Sequence, residues 1–384
     1  MPRHCFLPPH IHERALKAAG ATTTRRGLAV DSLGVDHAIR SIRLGFGEFH
    51  RPALAFARAQ RSTFGRAWWG TFAAAGPQRS IYVATGANRQ RIPGDLARAE
   101  GDPAYGDKEV DEAYDGLGAT FNLYSEVFQR NSIDGRGLPL VGSVHFGKKY
   151  ENAFWDGQQM NFGDGDNIYN PTTQTLTPIP NAIFNRFTVS VDIMGHELTH
   201  GVTQYESNLV YIGQPGALNE SLSDVFGSLV KQYMLRQTVD KADWLIGAGL
   251  MTSAVSGFPG YPVAIRSLRA PGKAYNDPAL GGADPQPSKM QDYVRGFDDN
   301  FGVHINSGIP NFAFYNCAKA LGGYAWERAG LIWYRACTGP FMRPMMRFQD
   351  FANLTLTTAQ QIYGFGSHEA DAVQTGWSAA GITV

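Results

Sequence analysis

The 384-residue chain reads as an α+β protein built in two halves, a mixed, sheet-bearing amino-terminal half and a largely helical carboxy-terminal half. Three observations predict this. The segments LPLVGSVHF and QQMNFGD show the alternation and aromatic content of strands and are bounded by Gly and Asp turns. Helical spacing runs from about Asn185 to Tyr205 and from about Asn219 to Leu235. Further helical pattern fills the chain after Ile309, with no internal repeat or low-complexity tract.

In order along the chain, the first eighty residues are rich in Arg and His. They carry short helical patterns, HERALKAAG and RPALAFARAQ, broken by TTTRRG and by glycines at Gly65 and Gly70, and they read as a separate segment. From IYVATGANRQRIPGDLARAEG the turns multiply. DEAYDGLGATFNLYSEVFQ is then expected as an amphipathic helix, because Ala113, Leu117, Phe121, Leu123, Tyr124 and Phe128 fall near a 3.6-residue period. The strands follow it, and the two longer helical patterns follow them. The expected division is a leading segment over 1–78, an α+β domain over 79–213 and a mainly helical domain over 214–384.

At 43% hydrophobic content the chain can bury a sizeable core. Lys+Arg and Asp+Glu both total 34, so nothing in the overall charge calls for nucleic acid or an anionic membrane as partner. About 20 consecutive apolar residues occur nowhere, and MPRHCFLPPHIHERALKAAG lacks an apolar signal-peptide core. Residence in the cytoplasm or export without an ordinary signal peptide is expected. Cys5, Cys317 and Cys337 are too few and too scattered for a disulfide framework or a cysteine-based zinc module. Whether Cys317 and Cys337 pair is open, and so is the redox compartment.

The string GHELTHGVTQ carries chemistry. His196 and His200, four apart, project from one helix face with Cβ atoms about 5–6 Å apart, so one metal ion can bridge them. A catalytic zinc takes three protein ligands and leaves one position to water. Glu197 is placed to take a proton from that water. The alternative is a core helix with two incidental histidines. In GALNESLSDVFG, Glu220 and Asp224 are again four apart; Glu220 is the expected third ligand. Asp224, one turn on, suits the outer N–H of a ligating histidine.

HELTHGVTQ, GALNESLSDVFG and DNFGVHINSG, in this order and at similar spacing, resemble the successive signatures of the thermolysin-like metallopeptidases. NAFW at Asn152 to Trp155, the GDGD turn, LPLVGSVHFG and IRSLRAP extend the likeness over roughly Ile81 to Val384. The resemblance implies the family's two-domain fold, with one catalytic Zn²⁺ in the cleft between domains on His196, His200 and Glu220. That ligand set is carried over from the family and does not follow from spacing alone. It also implies an endopeptidase acting on peptide or protein substrates, with Tyr211 and His304 donating to the tetrahedral intermediate and Asp299 orienting His304. Asn152 and Ala153 match positions that bind substrate backbone, and Arg266 matches an arginine that grips a substrate carbonyl. Phe184, Ile193 and Ile265 match the walls of a hydrophobic S1′ pocket, implying cleavage before residues such as Leu, Phe or Ile.

Two departures stand out. Family members with paired calcium ions use an acidic cluster near the active-site helix. Here Asp192 and Asp243 remain, but Lys231, Leu245 and Ala248 replace acids, so calcium-independent stability is expected. The amino terminus, FLPPHIHERAL, resembles the short propeptide of the protealysin-like subgroup, implying that roughly residues 1–78 keep the enzyme latent and are lost by self-cleavage before Ile81. A thiolate from Cys5 could cap the zinc in that state. A zinc aminopeptidase would call for a GxMEN-like motif, which is missing, and a non-catalytic scaffold would not need every catalytic position intact.

Overall fold

A computed structural model describes residues 4–17, 27–36, 76–85 and 92–384. The pattern RPALAFARAQ, the glycines at 65 and 70 and most of TTTRRG lie outside the described residues. The chain opens with β1 (His4–Cys5) and α1 (Pro9–Lys17), followed by a helical stretch at 27–36. Next come β2 (Arg79–Thr85), β3 (Asp95–Ala99) and α2 (Lys108–Asn122). Asp107 starts α2 by accepting from the backbone N–H groups of Glu109 and Val110, which would otherwise lack acceptors in the first turn. The expected amphipathic helix ends in a π-helical turn over Leu123–Val127.

The strands β4 (Leu140–Gly147), β5 (Ala153–Trp155) and β6 (Met160–Phe162) complete a six-stranded sheet ordered β1-β5-β6-β4-β2-β3. The β2–β4 and β4–β6 pairings are parallel; β5–β6, β2–β3 and β1–β5 are antiparallel. The leading segment thus supplies an edge strand, with His4 opposite Trp155 and Cys5 opposite Phe154. Its β1 covers backbone groups on β5 that would otherwise form an open edge. A hairpin of β7 (Asn167–Asn170) and β8 (Thr175–Pro178) stands beside the sheet.

The helices α3 (Val191–Tyr205) and α4 (Gly213–Met234) follow. The α3 helix starts later than its spacing suggested, because residues 183–185 are engaged elsewhere. Asn185 N–H donates to Leu250 O at 2.7 Å, and Thr252 N–H to Ile183 O at 2.8 Å. By contrast, α4 starts about two turns early, since Pro215 sits in the first turn, where its missing N–H has no partner to lose. The two helices cross at glycines. A Cβ on Gly195 would stand 2.9 Å from Gly227 Cα, and one on Gly227 would stand 2.5 Å from Asp192 O.

The rest is helical: α5 (Asp298–Asn306), α6 (Gly308–Leu321), α7 (Ala329–Thr338), α8 (Phe348–Tyr363) and α9 (His368–Ala379). One continuous apolar core joins Ile81, Leu117 and Phe162 on the sheet side to Leu218, Phe226 and Trp333 on the helical side. Cys317 and Cys337 are free thiols inside the helical half. Among the described residues, no helix is long and apolar enough to cross a membrane.

Candidate metal centre and active site

The glycine crossing brings α3 and α4 close enough for their polar residues to meet. His196 and His200 face each other with their Nε2 atoms 3.0 Å apart. Glu220 reaches in from α4, its Oε2 3.5 Å from His196 Nε2 and its Oε1 3.5 Å from His200 Nε2. All three side chains are fully buried. Ligands about 2.0–2.1 Å from a tetrahedral zinc are themselves about 3.3 Å apart, so this spacing fits one ion.

The outward bonds fit as well. His196 Nδ1 lies 2.8 Å from Asp224 Oδ1, and His200 Nδ1 lies 2.9 Å from Asn219 Oδ1 and 3.0 Å from Ser223 Oγ. Protons held on the Nδ1 atoms leave both Nε2 lone pairs pointing inward. Glu220 Oε2 is buried without a hydrogen bond of its own. Inward lone pairs and a buried carboxylate repel one another unless a cation sits among them. Burial by itself lowers the His196 imidazole, but the Asp224 and Glu220 carboxylates outweigh it and raise it; the negative field that would hold a second proton on the ring is the field that favours a metal cation in its place. Burial raises the Glu220 carboxyl, yet His304, His200 and His196 together hold it well below the usual carboxylate range.

Asp224 is the hub behind the metal ligands. Besides His196 it accepts from Arg266 Nε at 2.8 Å and Nη2 at 2.8 Å, and from Asn311 Nδ2 at 2.8 Å. Burial pushes its carboxyl up, and the Arg266 guanidinium and His196 bring it below its ordinary value.

On the open side of the three ligands, Glu197 accepts from Trp155 N–H at 2.9 Å through Oε2. The Tyr211 hydroxyl bonds Glu220 and lies 3.1 Å from His304 Nε2. His304 Nδ1 is 2.6 Å from Asp299 Oδ1, while its backbone N–H donates to Asp299 Oδ2 at 2.8 Å. Asp299, Asn300, Phe301 and Gly302 all adopt left-handed backbone, with φ between 50° and 76°. Three of these lack glycine's freedom, a cost of about 1–2 kcal/mol each. The turn lets Asp299 fold back onto the histidine five residues later.

The cleft is filled by the chain's own leading segment. Phe6 N–H donates to Ala153 O at 2.9 Å, and Leu7 N–H donates to Asn152 Oδ1 at 2.7 Å. Asn152 Nδ2 returns a bond to Leu7 O at 3.3 Å, and Arg266 Nη1 donates to Phe6 O at 3.3 Å. The Phe6 ring meets His196 edge-on at 5.4 Å and lies 4.7 Å from the Arg266 guanidinium. Phe184, Ile193 and Ile265 are buried in the same core cluster as Phe6. Cys5 packs against Phe146, Tyr150 and Phe154. It does not belong to the cluster of His196, Glu197 and His200, whose ligand atoms lie within 4.8 Å of one another.

The Lys231 ammonium donates to Asp192 Oδ2 at 2.6 Å and to Leu245 O at 2.7 Å, and sits 2.9 Å from Asp243 Oδ1. Burial lowers this lysine, but the two aspartates outweigh it and keep it charged. Sequence reasoning missed Gly247, Asn219, Ser223 and Asn311. A Cβ on Gly247 would come 3.0 Å from Ile265 and 3.3 Å from Phe6. Nothing in the sequence distinguished that glycine among 44.

A family model described as thermolysin metallopeptidase, catalytic domain, matches residues 67–204, and one described as thermolysin metallopeptidase, alpha-helical domain, matches 207–382. The chain belongs to the thermolysin metallopeptidase family. It is a metalloendopeptidase with that family's two-domain fold. It is 50% identical over 306 residues to an extracellular metalloprotease of Pectobacterium carotovorum, covering 80% of this chain and 81% of the relative. A thermolysin of Alicyclobacillus acidocaldarius is 34% identical over 313 residues, covering 79% of this chain and 51% of that one. The solved precursor of protealysin, a metalloproteinase from Serratia proteamaculans, superposes with a TM-score of 0.80 at 43% identity. That likeness covers 99% of this chain and all of the other, so it takes in the leading segment that fills this thermolysin-like cleft.

Proposed function

We propose that the chain is the latent precursor of a zinc endopeptidase that cleaves before bulky apolar residues, with roughly residues 1–78 acting as a propeptide removed by self-cleavage before Ile81. The observation that carries this reading is the course of residues 5–7, held by the backbone bond from Phe6 N–H to Ala153 O and by the side chains of Asn152 and Arg266 as a substrate strand would be. In that register Phe6 is a P1′ residue and Leu7 a P2′ residue. Phe184, Ile193 and Ile265, together with Gly247, bound the space that selects the P1′ side chain.

A zinc ion on His196, His200 and Glu220 supplies Lewis acidity toward a peptide carbonyl and lowers the pKa of water. The chain's own groups do the rest. Glu197, next to a ligand on α3 and fixed by Trp155 N–H, accepts the proton of the attacking water and passes it to the leaving amine. Tyr211 O–H and His304 Nε2 meet on one side of Glu220, where they can donate to the oxygen that gains negative charge. Asp299 accepts from Nδ1–H and so aims Nε2 at that oxygen; donation from Nε2 calls for the imidazolium, in which both ring nitrogens carry protons, with the Asp299 carboxylate as its counter-charge. Asp224 holds His196 and Arg266 together, coupling the metal ligand to the group that grips the P1′ carbonyl. The name of the Pectobacterium relative supports action outside the cell.

The test incubates zinc-supplemented wild type and Glu197→Gln with a peptide library, reading by mass spectrometry both the library cuts and the protein's own mass. Cuts before Leu, Phe or Ile, with loss of several kilodaltons from wild type only, are expected. Equal inactivity of both proteins with zinc bound would instead indicate a non-catalytic, metal-holding scaffold.

A further inference from the structure

The helical stretch at 27–36 plays no part in the chemistry above, yet one of its faces is buried. Leu28, Ala29, Ser32, Leu33 and Asp36 face inward while Val30 and Asp31 face water. Four of these inward residues are small or apolar. Asp36 carries a carboxylate, is 1% exposed, and sits at the end of the stretch.

Its two oxygens are both engaged on the catalytic side of the cleft. Tyr150 O–H donates to Oδ1 at 2.6 Å, and Asn152 Nδ2 donates to Oδ2 at 2.9 Å. Asn152 is the same side chain that accepts from Leu7 N–H through Oδ1 and reaches Leu7 O through Nδ2. An amide has two N–H donors and one carbonyl acceptor, so these three bonds use its full donor capacity and fix which way round it stands. Asp36 can bond only the amino end. It therefore holds the carbonyl end toward Leu7 N–H.

Two further contacts bring the helical stretch down on the same cleft wall. Glu151 N–H donates to Ser32 Oγ at 3.2 Å, and Val35 packs on the cluster of Phe146, Tyr150 and Phe154 that encloses Cys5. The helical stretch is thus tied to both sides of the inhibitory strand, at Cys5 through apolar packing and at Leu7 through Asn152.

We propose that Asp36 is a latch: a positioning residue of the leading segment that fixes the Asn152 amide, so that residues 27–36 and the strand in the cleft leave together. This deepens the latency reading and rests on it. Without the carboxylate, the Asn152 amide keeps Ala153 N–H on its oxygen but loses the bond that anchors its amino end outside the strand, so the pairing with Leu7 weakens and the cleft opens to competing ligand.

The experiment uses the full chain, zinc-loaded and carrying Glu197→Gln so that no cleavage intervenes. The probe is a hydroxamate-capped Phe-Leu dipeptide, which competes for the contacts that Phe6 and Leu7 make. Its affinity is measured for this parent and for added Asp36→Ala, Asp36→Asn and Phe6→Ala. Asp36→Ala is expected to bind the probe about tenfold more tightly than the parent, with Asp36→Asn between them because an amide has a single acceptor oxygen for the two donors, Tyr150 O–H and Asn152 Nδ2–H. A purely structural role for Asp36 would lower zinc content and weaken binding in both variants, which overturns the latch. Tighter binding in Phe6→Ala with no change in either Asp36 variant overturns the latch and leaves latency standing. No change in any of the three overturns latency itself.

Discussion

A buried ammonium depends on its acceptors, and Lys231 has three oxygens within 2.9 Å drawn from Asp192, Asp243 and Leu245. One positive charge there faces the two carboxylates that a calcium site would have shared with further acids. Calcium chelation with zinc replenished is therefore expected to leave the melting temperature unchanged; a sharp fall would show that a calcium site persists. Lys231→Met should cost about 3–5 kcal/mol in a denaturant titration, because Asp192, fully buried, loses its counter-charge and keeps only the donors Ser190 Oγ and Gly247 N–H. At this scale the sequence was most informative where chemistry forces a residue type. His196 and His200 could be named because their spacing puts two imidazoles on one helix face, while Glu220 and the expectation of an acid at Lys231 came with the family resemblance. Gly247 and Asn311 were illegible, since a glycine or an asparagine gains a role only from neighbours brought in by folding.

The convergence of ligands at the metal centre depends on how closely two helices approach. At the α3–α4 crossing a Cβ on Gly227 would also stand 3.0 Å from His196 N and 3.3 Å from His196 Cβ. Gly227→Ala should thus push α3 away and displace a ligand as well as overpack the crossing, at a cost of about 1–3 kcal/mol. The expected outcome is a lower melting temperature together with weaker zinc binding in a competition titration against a chromophoric chelator. Unchanged zinc affinity would mean that the crossing can relax without moving His196. The periodicity of α2 was readable because its apolar stripe is a local property of the sequence. The start of α3 was not, because the bonds of residues 183–185 to 250–252 belong to a part of the chain about 65 residues away.

Across the whole molecule, stability should fall on the alkaline side. His145 on β4 lies between Asp164 Oδ1 at 2.8 Å and Asp107 Oδ2 at 3.2 Å and stacks on Tyr169 of the hairpin at 3.5 Å, tying three parts of the sheet domain together. Burial lowers its imidazole, but the two carboxylates outweigh this and raise it from 6.5 to about 9. A raised histidine stabilises fully below its unfolded value and loses that contribution as pH climbs from 6.5 through about 9, here a loss of about 3 kcal/mol. Burial and Asp107 raise Glu109 to about 7, which adds a loss of the same sign at lower pH. Chemical denaturation of the Glu197→Gln chain at pH 6.5 and 9.5 should show the drop, and His145→Gln should remove most of it; an equal drop in both would place its origin elsewhere. The sequence by itself determined the two-part α+β organisation, the placing of His196 and His200 on one helix face and the lysine at position 231, because helical period and residue spacing are local; Glu220 as third ligand came with the family resemblance. Only the tertiary structure decided that Phe6 and Leu7 occupy the cleft and that Asp36 reaches Asn152. Leu7 meets Asn152 across 145 residues and Phe6 meets Arg266 across 260, and pairings at that range depend on the packing of whole elements, to which no local period bears witness.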